Sequence, residues 1–249
     1  MHSEGAGAMN TPAEPWPQNI HVCIPSYQSA PGLAVLLPEL LKTVPAEQVC
    51  VVDDGSTDNT RDLCLRNDIR CLSQPENLGK GAALAAGFSC LLQKGADAVI
   101  TMDADGQHAV ADLPEFIETF HRYPDIAICI GQRTITRRYM PLLRIFSNSV
   151  TSRLLTLLCG VPVPDSQCGY RLYSAAFLKK VTVKYPRFEM ESEVILKAVR
   201  LGFPVRFIKV QTVYLNGTSH ISHVADTLRW IKAVLKIRFF SGKSNTKNS

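Results

Sequence analysis

The 249-residue sequence contains no G-x-G-x-x-G and no G-x-x-x-x-G-K-[ST], which disfavours dinucleotide-binding and P-loop ATPase chemistry of the usual kinds. Its eight cysteines form no C-x-x-C pair and have no zinc spacing. Scattered through apolar runs, they read as reduced, small hydrophobes of a cytosolic protein. No stretch reaches the roughly 20 apolar residues of a membrane span, and the N-terminus has no basic start with an apolar centre. A secreted or membrane-spanning chain is therefore not expected. With 46% hydrophobic and 20% charged residues, the composition also excludes a disordered or collagen-like chain. There are 27 basic and 22 acidic residues, so the net charge of +5 mildly favours anionic partners. The basic residues belong to no recognised nucleic-acid reader, and nucleic acid is not expected as a partner. Length suits one domain, expected over residues 18–241, with disordered tails at 1–17 and 242–249.

The pattern of apolar runs and helical segments alternates. Ile20–Ile24 reads as a strand stopped by Pro25, followed by a helix over about 31–44; Val49–Val52 is the next strand, and Asp58 or Asn59 caps a helix reaching about Asn67. Ile69–Leu72 and Ala98–Met102 are further strands, with helices over about 79–92 and 112–121. This rhythm predicts an α/β fold with a mostly parallel central sheet covered by helices on both faces. The second half is less regular: strands at Ile126–Ile130 and Val205–Val213, a helix over Phe188–Leu201, and a final basic helix over about 224–240.

Polar residues gather where strands end: Ser26-Tyr27, Asp53-Asp54, and Asp103 to His108. Ligands of open α/β sheets bind outside the carboxyl ends of the strands, so these exits are expected to converge on one site. Asp103 and Asp105 are two residues apart at a strand end, and with the Gln107 amide oxygen they can hold a hard divalent cation, Mg²⁺ or Mn²⁺. The same residues also suit an Asx turn entering a helix. The Asp53-Asp54 pair can accept hydrogen bonds from a base or from ribose hydroxyls, or serve only as a turn and helix cap. His108, His220 and His223 are disfavoured as ligands of a hard cation.

Several segments occur in the order found in one family. These are Val22-Cys23-Ile24-Pro25-Ser26-Tyr27, Val51-Val52-Asp53-Asp54-Gly55-Ser56, Asn77-Leu78-Gly79-Lys80-Gly81, Met102-Asp103-Ala104-Asp105-Gly106-Gln107-His108 and Gly131-Gln132-Arg133. Together they resemble the family 2 glycosyltransferases, and within it the dolichyl- and polyprenyl-phosphate sugar transferases, over about residues 20–240. The resemblance implies a GT-A fold, a nucleotide-diphosphate sugar donor, Mg²⁺ or Mn²⁺, and transfer with inversion. It also implies that Pro25 and Tyr27 line the base and that Asp53 and Asp54 contact the nucleoside. Asp103, Ala104 and Asp105 form the donor-binding D-x-D, with Gln107 completing the metal site. A cation on the diphosphate neutralises charge building on the leaving group, so Asp105 is expected to carry most of the rate.

Arg133 and Arg144 match arginines that the family arranges around an acceptor phosphate, a role suited to guanidinium and supported by the absence of acids between Asp125 and Asp165. Ser147 and Ser149 are candidate hydroxyl donors beside Arg144, while Arg137, Arg138 and Arg153 read as solvated charges or headgroup contacts. Asp165 opens a segment, Asp165-Ser166-Gln167-Cys168-Gly169-Tyr170-Arg171, that resembles an acceptor-side loop or simply makes a glycine turn. Glu189 and Glu191, in Phe188-Glu189-Met190-Glu191, depart from the mannose synthases. They suit either a general base toward a hydroxyl acceptor or a helix cap and salt bridge. His220 is a candidate for closing the site over the diphosphate.

The resulting expectation is a metal-dependent inverting transferase moving a hexose to a lipid-linked phosphate. Two alternatives stay open: transfer to a hydroxyl of a glycan or glycolipid, and a nucleotide-binding protein without turnover. A bilayer-resident acceptor, with the basic, apolar stretches at 140–163 and 224–240, predicts peripheral attachment to the cytoplasmic face of a membrane.

Overall fold

The computed structural model describes residues 15–133 and 142–213, the side chains of 142–147 excepted. Seven strands form one sheet: β1 (Ile20–Ser26), β2 (Val49–Asp53), β3 (Arg70–Ser73), β4 (Ala98–Thr101), β5 (Ile128–Arg133), β6 (Arg171–Ser174) and β7 (Val205–Val210), in the order β3-β2-β1-β4-β6-β5-β7. Between and after them lie α1 (Ala30–Leu40), α2 (Thr60–Arg66), α3 (Lys80–Gln93), α4 (Leu113–Arg122), α5 (Leu142–Cys159), α6 (Ala175–Leu178) and α7 (Glu189–Arg200). The expected α/β class and mostly parallel sheet are what the chain adopts.

Every residue of β1, β2, β4 and β6 is buried, so both faces of the central sheet are covered, as their unbroken apolar runs require. The edge strand β3 carries exposed Arg70 and Ser73 at its ends. Helix α3 reaches the sheet through Gly87, where a Cβ would lie 2.4 Å from Cys23 Sγ and 3.1 Å from Val52 Cγ2. All eight cysteines are free, and five are buried in this core, consistent with their reading as small hydrophobes.

Four findings revise the sequence-based outline. First, Pro25 does not stop β1, which runs on to Ser26. The Cys23 carbonyl accepts from Met102 and the Ser26 carbonyl from Asp54, so Pro25 sides with Cys23 toward β4. Pairing with β4 ends at Cys23, and the missing N–H leaves no gap in the ladder. Second, Trp16 and Pro17 are not tail. Trp16 packs on the core and donates from Nε1 to the Ile20 carbonyl at 2.7 Å, while the Pro17 carbonyl accepts from Gln48 at 2.9 Å.

Third, β5 extends to Arg133, bringing that arginine to the carboxyl edge. Fourth, β6 is an element the alternating pattern concealed. It runs antiparallel to both β4 and β5, against the common direction of the other strands. A reversed strand puts its beginning where its neighbours end, so the segment leading into β6, Asp165–Tyr170, is delivered to the same edge as Asp103 and Arg133. The expected tails at 1–14 and 242–249, the helix over 224–240, Arg137, Arg138, His220 and His223 lie outside the described residues, as do the side chains of Arg144 and Ser147.

Helix α1 begins under the Asp103–Asp105 turn, and Gly32 is the point of contact. A Cβ there would sit 2.1 Å from the Ala104 carbonyl oxygen and 3.0 Å from the Asp105 Cα, both backbone atoms. Gly32→Ala should therefore destabilise the protein by about 1–3 kcal/mol through overpacking, read as a lowered midpoint in thermal denaturation.

Candidate active site

Strands β1, β2 and β4 end side by side, and the order of the sheet reverses between β1 and β4, the position where open α/β sheets bind ligands. The loops leaving β1 and β2 are stitched together. Gln28, at φ +50°, donates from its backbone to Ser56 Oγ (3.0 Å) and from Nε2 to Thr57 Oγ1 (2.9 Å). Asp58, rather than Asn59, caps two helices at once: Oδ2 accepts from the Ala30 N–H (2.9 Å) and Oδ1 from Thr60 N and Oγ1. Tyr27 is about half exposed beside this seam, and Pro25 is buried behind it.

The two acids of β2 divide their work. Asp54 is buried, and both its oxygens are taken: Oδ1 accepts from Leu78 N–H (2.9 Å) and Oδ2 from Gly79 N–H (2.8 Å). Its carboxylate shapes the turn that starts α3, where Gly79 adopts φ +103°. Asp53 is also buried and accepts from the Ser56 N–H at 2.9 Å. Of the pair expected on the nucleoside, the structure commits Asp54 to backbone.

Asp103 follows β4 and stands at the centre of a charge cluster. Lys80, the first residue of α3, holds Asp103 Oδ1 at 2.6 Å and Glu191 Oε1 at 2.7 Å. Gly169 makes room for this: a Cβ there would lie 2.5 Å from both Asp103 oxygens and 2.7 Å from Lys80 Nζ. Burial works to raise the Asp103 carboxyl, but the Lys80 ammonium outweighs it and holds the group well below the usual carboxylate range. His108 accepts the Asp103 backbone N–H at Nδ1 (3.1 Å) and stacks on Tyr170 with ring centroids 4.8 Å apart. Burial holds its imidazole below the ordinary value despite the neighbouring acids, which keeps it neutral and fits its part as an acceptor. Asp105 is exposed, with Oδ1 accepting the Gln107 N–H at 3.0 Å, and Gln107 is half-buried. Ala104 is buried against Gly32. The chain after β7 pins this turn from outside, through Val213 N–H to the Gln107 carbonyl (3.0 Å) and Gln211 N–H to Asp112 Oδ2 (2.8 Å).

Asp103, Asp105 and Gln107 together offer the oxygen donors a hard cation takes. Among the described residues no group of three or more His, Cys, Asp or Glu side chains is placed to hold a metal ion, so a cation here would depend on the two aspartates and the amide. Such an open, oxygen-rich edge fits Mg²⁺ or Mn²⁺ that shares its shell with phosphate and water.

On the other flank, Arg133 at the end of β5 is gripped by Asp165 through two parallel bonds, Nε to Oδ2 (2.8 Å) and Nη2 to Oδ1 (3.0 Å). Asp165 also accepts from Asn148 Nδ2 (3.2 Å) and the Gln167 N–H (3.2 Å), and it is 1% exposed. The acid expected at the acceptor side is thus spent on orienting an arginine. Ser166 bonds Ser152 (3.1 Å) and Thr151 (3.2 Å) of α5, tying that helix to the loop. Arg171, fully buried, donates to the Cys168, Ser166 and Glu191 carbonyls. Glu189 and Glu191 are both buried at the start of α7, and Phe188 beside them is half exposed, its ring 5.9 Å from Lys80 Nζ.

Lys80, His108, Gly32 and Gly169 are the site residues that residue-type reasoning left without a role. Only Lys80 carried a signal, as the one charged residue in Asn77-Leu78-Gly79-Lys80-Gly81.

A sheet of this order, with acids at the carboxyl ends of β2 and β4 and a reversed strand carrying a loop back to them, has the GT-A fold. The chain belongs to glycosyl transferase family 2, whose profile matches residues 21–182. It is 30% identical over 215 residues to the polyprenol monophosphomannose synthase of Mycolicibacterium smegmatis, covering 80% of this chain and 79% of that one. It is 29% identical over 230 residues to the undecaprenyl-phosphate mannosyltransferase of Micrococcus luteus, covering 83% and 91%. The glucosyl-3-phosphoglycerate synthase of Mycobacterium tuberculosis, solved with Mn²⁺, UDP and phosphoglyceric acid, superposes with a TM-score of 0.70 at 18% identity, covering 92% of this chain and 80% of that one.

The Arg133–Asp165 pair yields a test of its own. Asp165→Ala strands a buried guanidinium and should cost about 3–5 kcal/mol in urea denaturation. Burial opposes ionisation of Asp165, but Arg133 holds its folded pKa below the unfolded value of about 3.9. Its contribution is therefore complete above that pH and drains away as the pH falls through the folded pKa. Acid titration followed by near-UV circular dichroism should show a shallower loss of stability in Asp165→Asn than in the wild type.

Proposed function

We propose that this family 2 glycosyltransferase moves a hexose from a nucleotide-diphosphate sugar to a polyprenyl- or dolichyl-phosphate acceptor, with inversion. The observation that carries this reading is the pairing, across one sheet edge, of an oxygen-donor edge at Asp103, Asp105 and Gln107 with an arginine, Arg133, locked by Asp165. Relatives named as polyprenol- and undecaprenyl-phosphate mannosyl transferases support the acceptor class. A structural neighbour solved with Mn²⁺ and UDP supports the donor class and the cation.

In this mechanism Tyr27, Pro25 and Asp53 receive the nucleoside, and Asp54 acts through the α3 turn. Asp103, Asp105 and Gln107 hold Mg²⁺ or Mn²⁺, which supplies charge neutralisation to the departing diphosphate. Arg133, with Arg144 from α5, holds the acceptor phosphate. An oxygen of that phosphate forms the new bond to the anomeric carbon as the bond to the diphosphate breaks and its electron pair leaves with the nucleotide. A phosphate monoester is largely ionised near neutral pH, its second pKa being about 6, so no protein base is needed. Of the two candidate bases for the rival hydroxyl acceptor, Glu191 is committed to Lys80 at 2.7 Å and Glu189 is buried at the start of α7.

A lipid acceptor implies work at a membrane surface, on the cytoplasmic face where nucleotide sugars are supplied. Among the described residues no helix is long and apolar enough to cross a membrane. On α5 the exposed Arg153 precedes Leu157, 79% exposed, by one turn, an arrangement suited to an interface.

The test has two arms. Thermal shift with GDP, UDP, dTDP and CDP sugars, each with Mn²⁺ or EDTA, should give metal-dependent stabilisation by one nucleotide family. Labelled hexose from that donor should then transfer to polyprenyl phosphate in vesicles, and Asp105→Ala should lower kcat/KM by about 10²–10³-fold. Transfer to a non-phosphorylated acceptor alone would overturn the acceptor assignment, and absence of any nucleotide-dependent stabilisation would overturn the donor site.

A further inference from the structure

We infer that Lys80 is a built-in counter-ion that keeps the divalent cation off Asp103 until the donor diphosphate arrives, so that metal and nucleotide bind as a unit. The inference rests on Asp103 being a metal-bearing carboxylate, as proposed above, and adds a role for a residue that the proposed mechanism does not use.

The geometry is specific. The Lys80 ammonium sits 2.6 Å from Asp103 Oδ1, on the carboxylate a cation would share with Asp105. It has a second carboxylate, Glu191 Oε1, at 2.7 Å. Three features fix it there. Asp54 clamps the Leu78 and Gly79 amides at 2.9 and 2.8 Å, which sets where α3 starts and hence where Lys80 begins. Gly79 and Gly81 allow the segment before α7 to close on α3: a Cβ on them would lie 2.5 Å from the Pro186 oxygen and 2.3 Å from the Tyr185 oxygen. That contact brings Glu191 within reach. Gly169 then backs the pair, leaving no space for the ammonium to retreat in its direction.

A divalent ion taken up by Asp103 would have to share that carboxylate with the ammonium already on it, and two cations on one partly buried carboxylate repel. Asp103 alone does not supply enough negative charge for both, since its single carboxylate would face a divalent ion and the Lys80 ammonium together. A diphosphate adds at least two negative charges beside the carboxylates. With it bound, the metal and Lys80 each have anionic partners, Lys80 retaining Glu191, and the competition ends. Cation binding is then coupled to donor binding by charge alone, with no moving lid.

Mn²⁺ affinity measured on the full-length protein, by electron paramagnetic resonance of free Mn²⁺ and by calorimetry, tests this without reference to turnover. In the wild type Mn²⁺ alone should bind weakly, and GDP or UDP should tighten it. Lys80→Met should tighten Mn²⁺ binding in the absence of nucleotide by about tenfold or more and shrink the nucleotide-induced gain correspondingly. Lys80→Arg, which keeps the charge, should behave as the wild type. Because Lys80→Met leaves two carboxylates facing each other, the double variant Lys80→Met/Glu191→Gln provides the same comparison with one repulsion removed. Unchanged or weaker Mn²⁺ binding in folded Lys80→Met and in the double variant, with Asp103→Asn still abolishing Mn²⁺ binding, overturns the role of Lys80 alone. Full Mn²⁺ and nucleotide binding by Asp103→Asn overturns the metal-site reading, and this inference with it.

Discussion

A carboxylate withdrawn from water must be given hydrogen-bond donors or a cation, and the site is organised by how four such groups are supplied. Asp54 draws two backbone amides to itself and so determines where α3 begins. Asp165 draws the Arg133 guanidinium, an asparagine side chain and a backbone amide, and so determines how β5, α5 and the segment before β6 meet. Asp103 and Glu191 share one ammonium. Each carboxylate links a strand end or helix start to a segment far away in sequence, and together these links turn the ends of separate elements into one surface. The separations are large: 24 residues for Asp54 to Leu78, 32 for Arg133 to Asp165 and 111 for Lys80 to Glu191.

That division of labour separates holding from acting. Asp54 and Asp165 use their oxygens entirely inside the protein, whereas Asp105 remains exposed and Asp103 keeps a carboxylate whose partners are charged and exchangeable. Buried acids of the first kind stabilise the frame, and only the second kind is open to a ligand. The two classes cannot be told apart by residue type, because both appear as aspartates at strand ends.

Much of the frame was legible in the sequence. Unbroken apolar runs such as Val49–Val52 and Ala98–Met102 mark strands buried on both faces, and the acids that follow them mark the carboxyl edge. The antiparallel strand β6 was not legible: Arg171–Ser174 is only four residues long and begins with a buried arginine, which no hydrophobic pattern predicts. Its arginine is tolerated because three backbone carbonyls receive the guanidinium and the Glu191 carboxylate lies 3.8 Å away. Pro25 misled for a related reason, since proline breaks a ladder only where a neighbour is waiting for its N–H. The pairings of Lys80 and Asp165 depend on contacts between segments more than 20 residues apart, which local periodicity does not encode.

The glycines around the site have a consequence for how enzymes of this architecture diverge. Gly32, Gly79, Gly81 and Gly169 each stand against backbone or against the charged cluster at distances that exclude even one added carbon. The floor of the site is thus closed to mutational exploration, since a change there disturbs the frame before it can touch a substrate. Variation in what is bound has to enter through the rim, at exposed positions such as Tyr27 and Phe188, where side chains of very different size fit without moving the floor. Directed evolution of substrate preference on this scaffold should therefore draw its libraries from the rim and leave the glycines fixed.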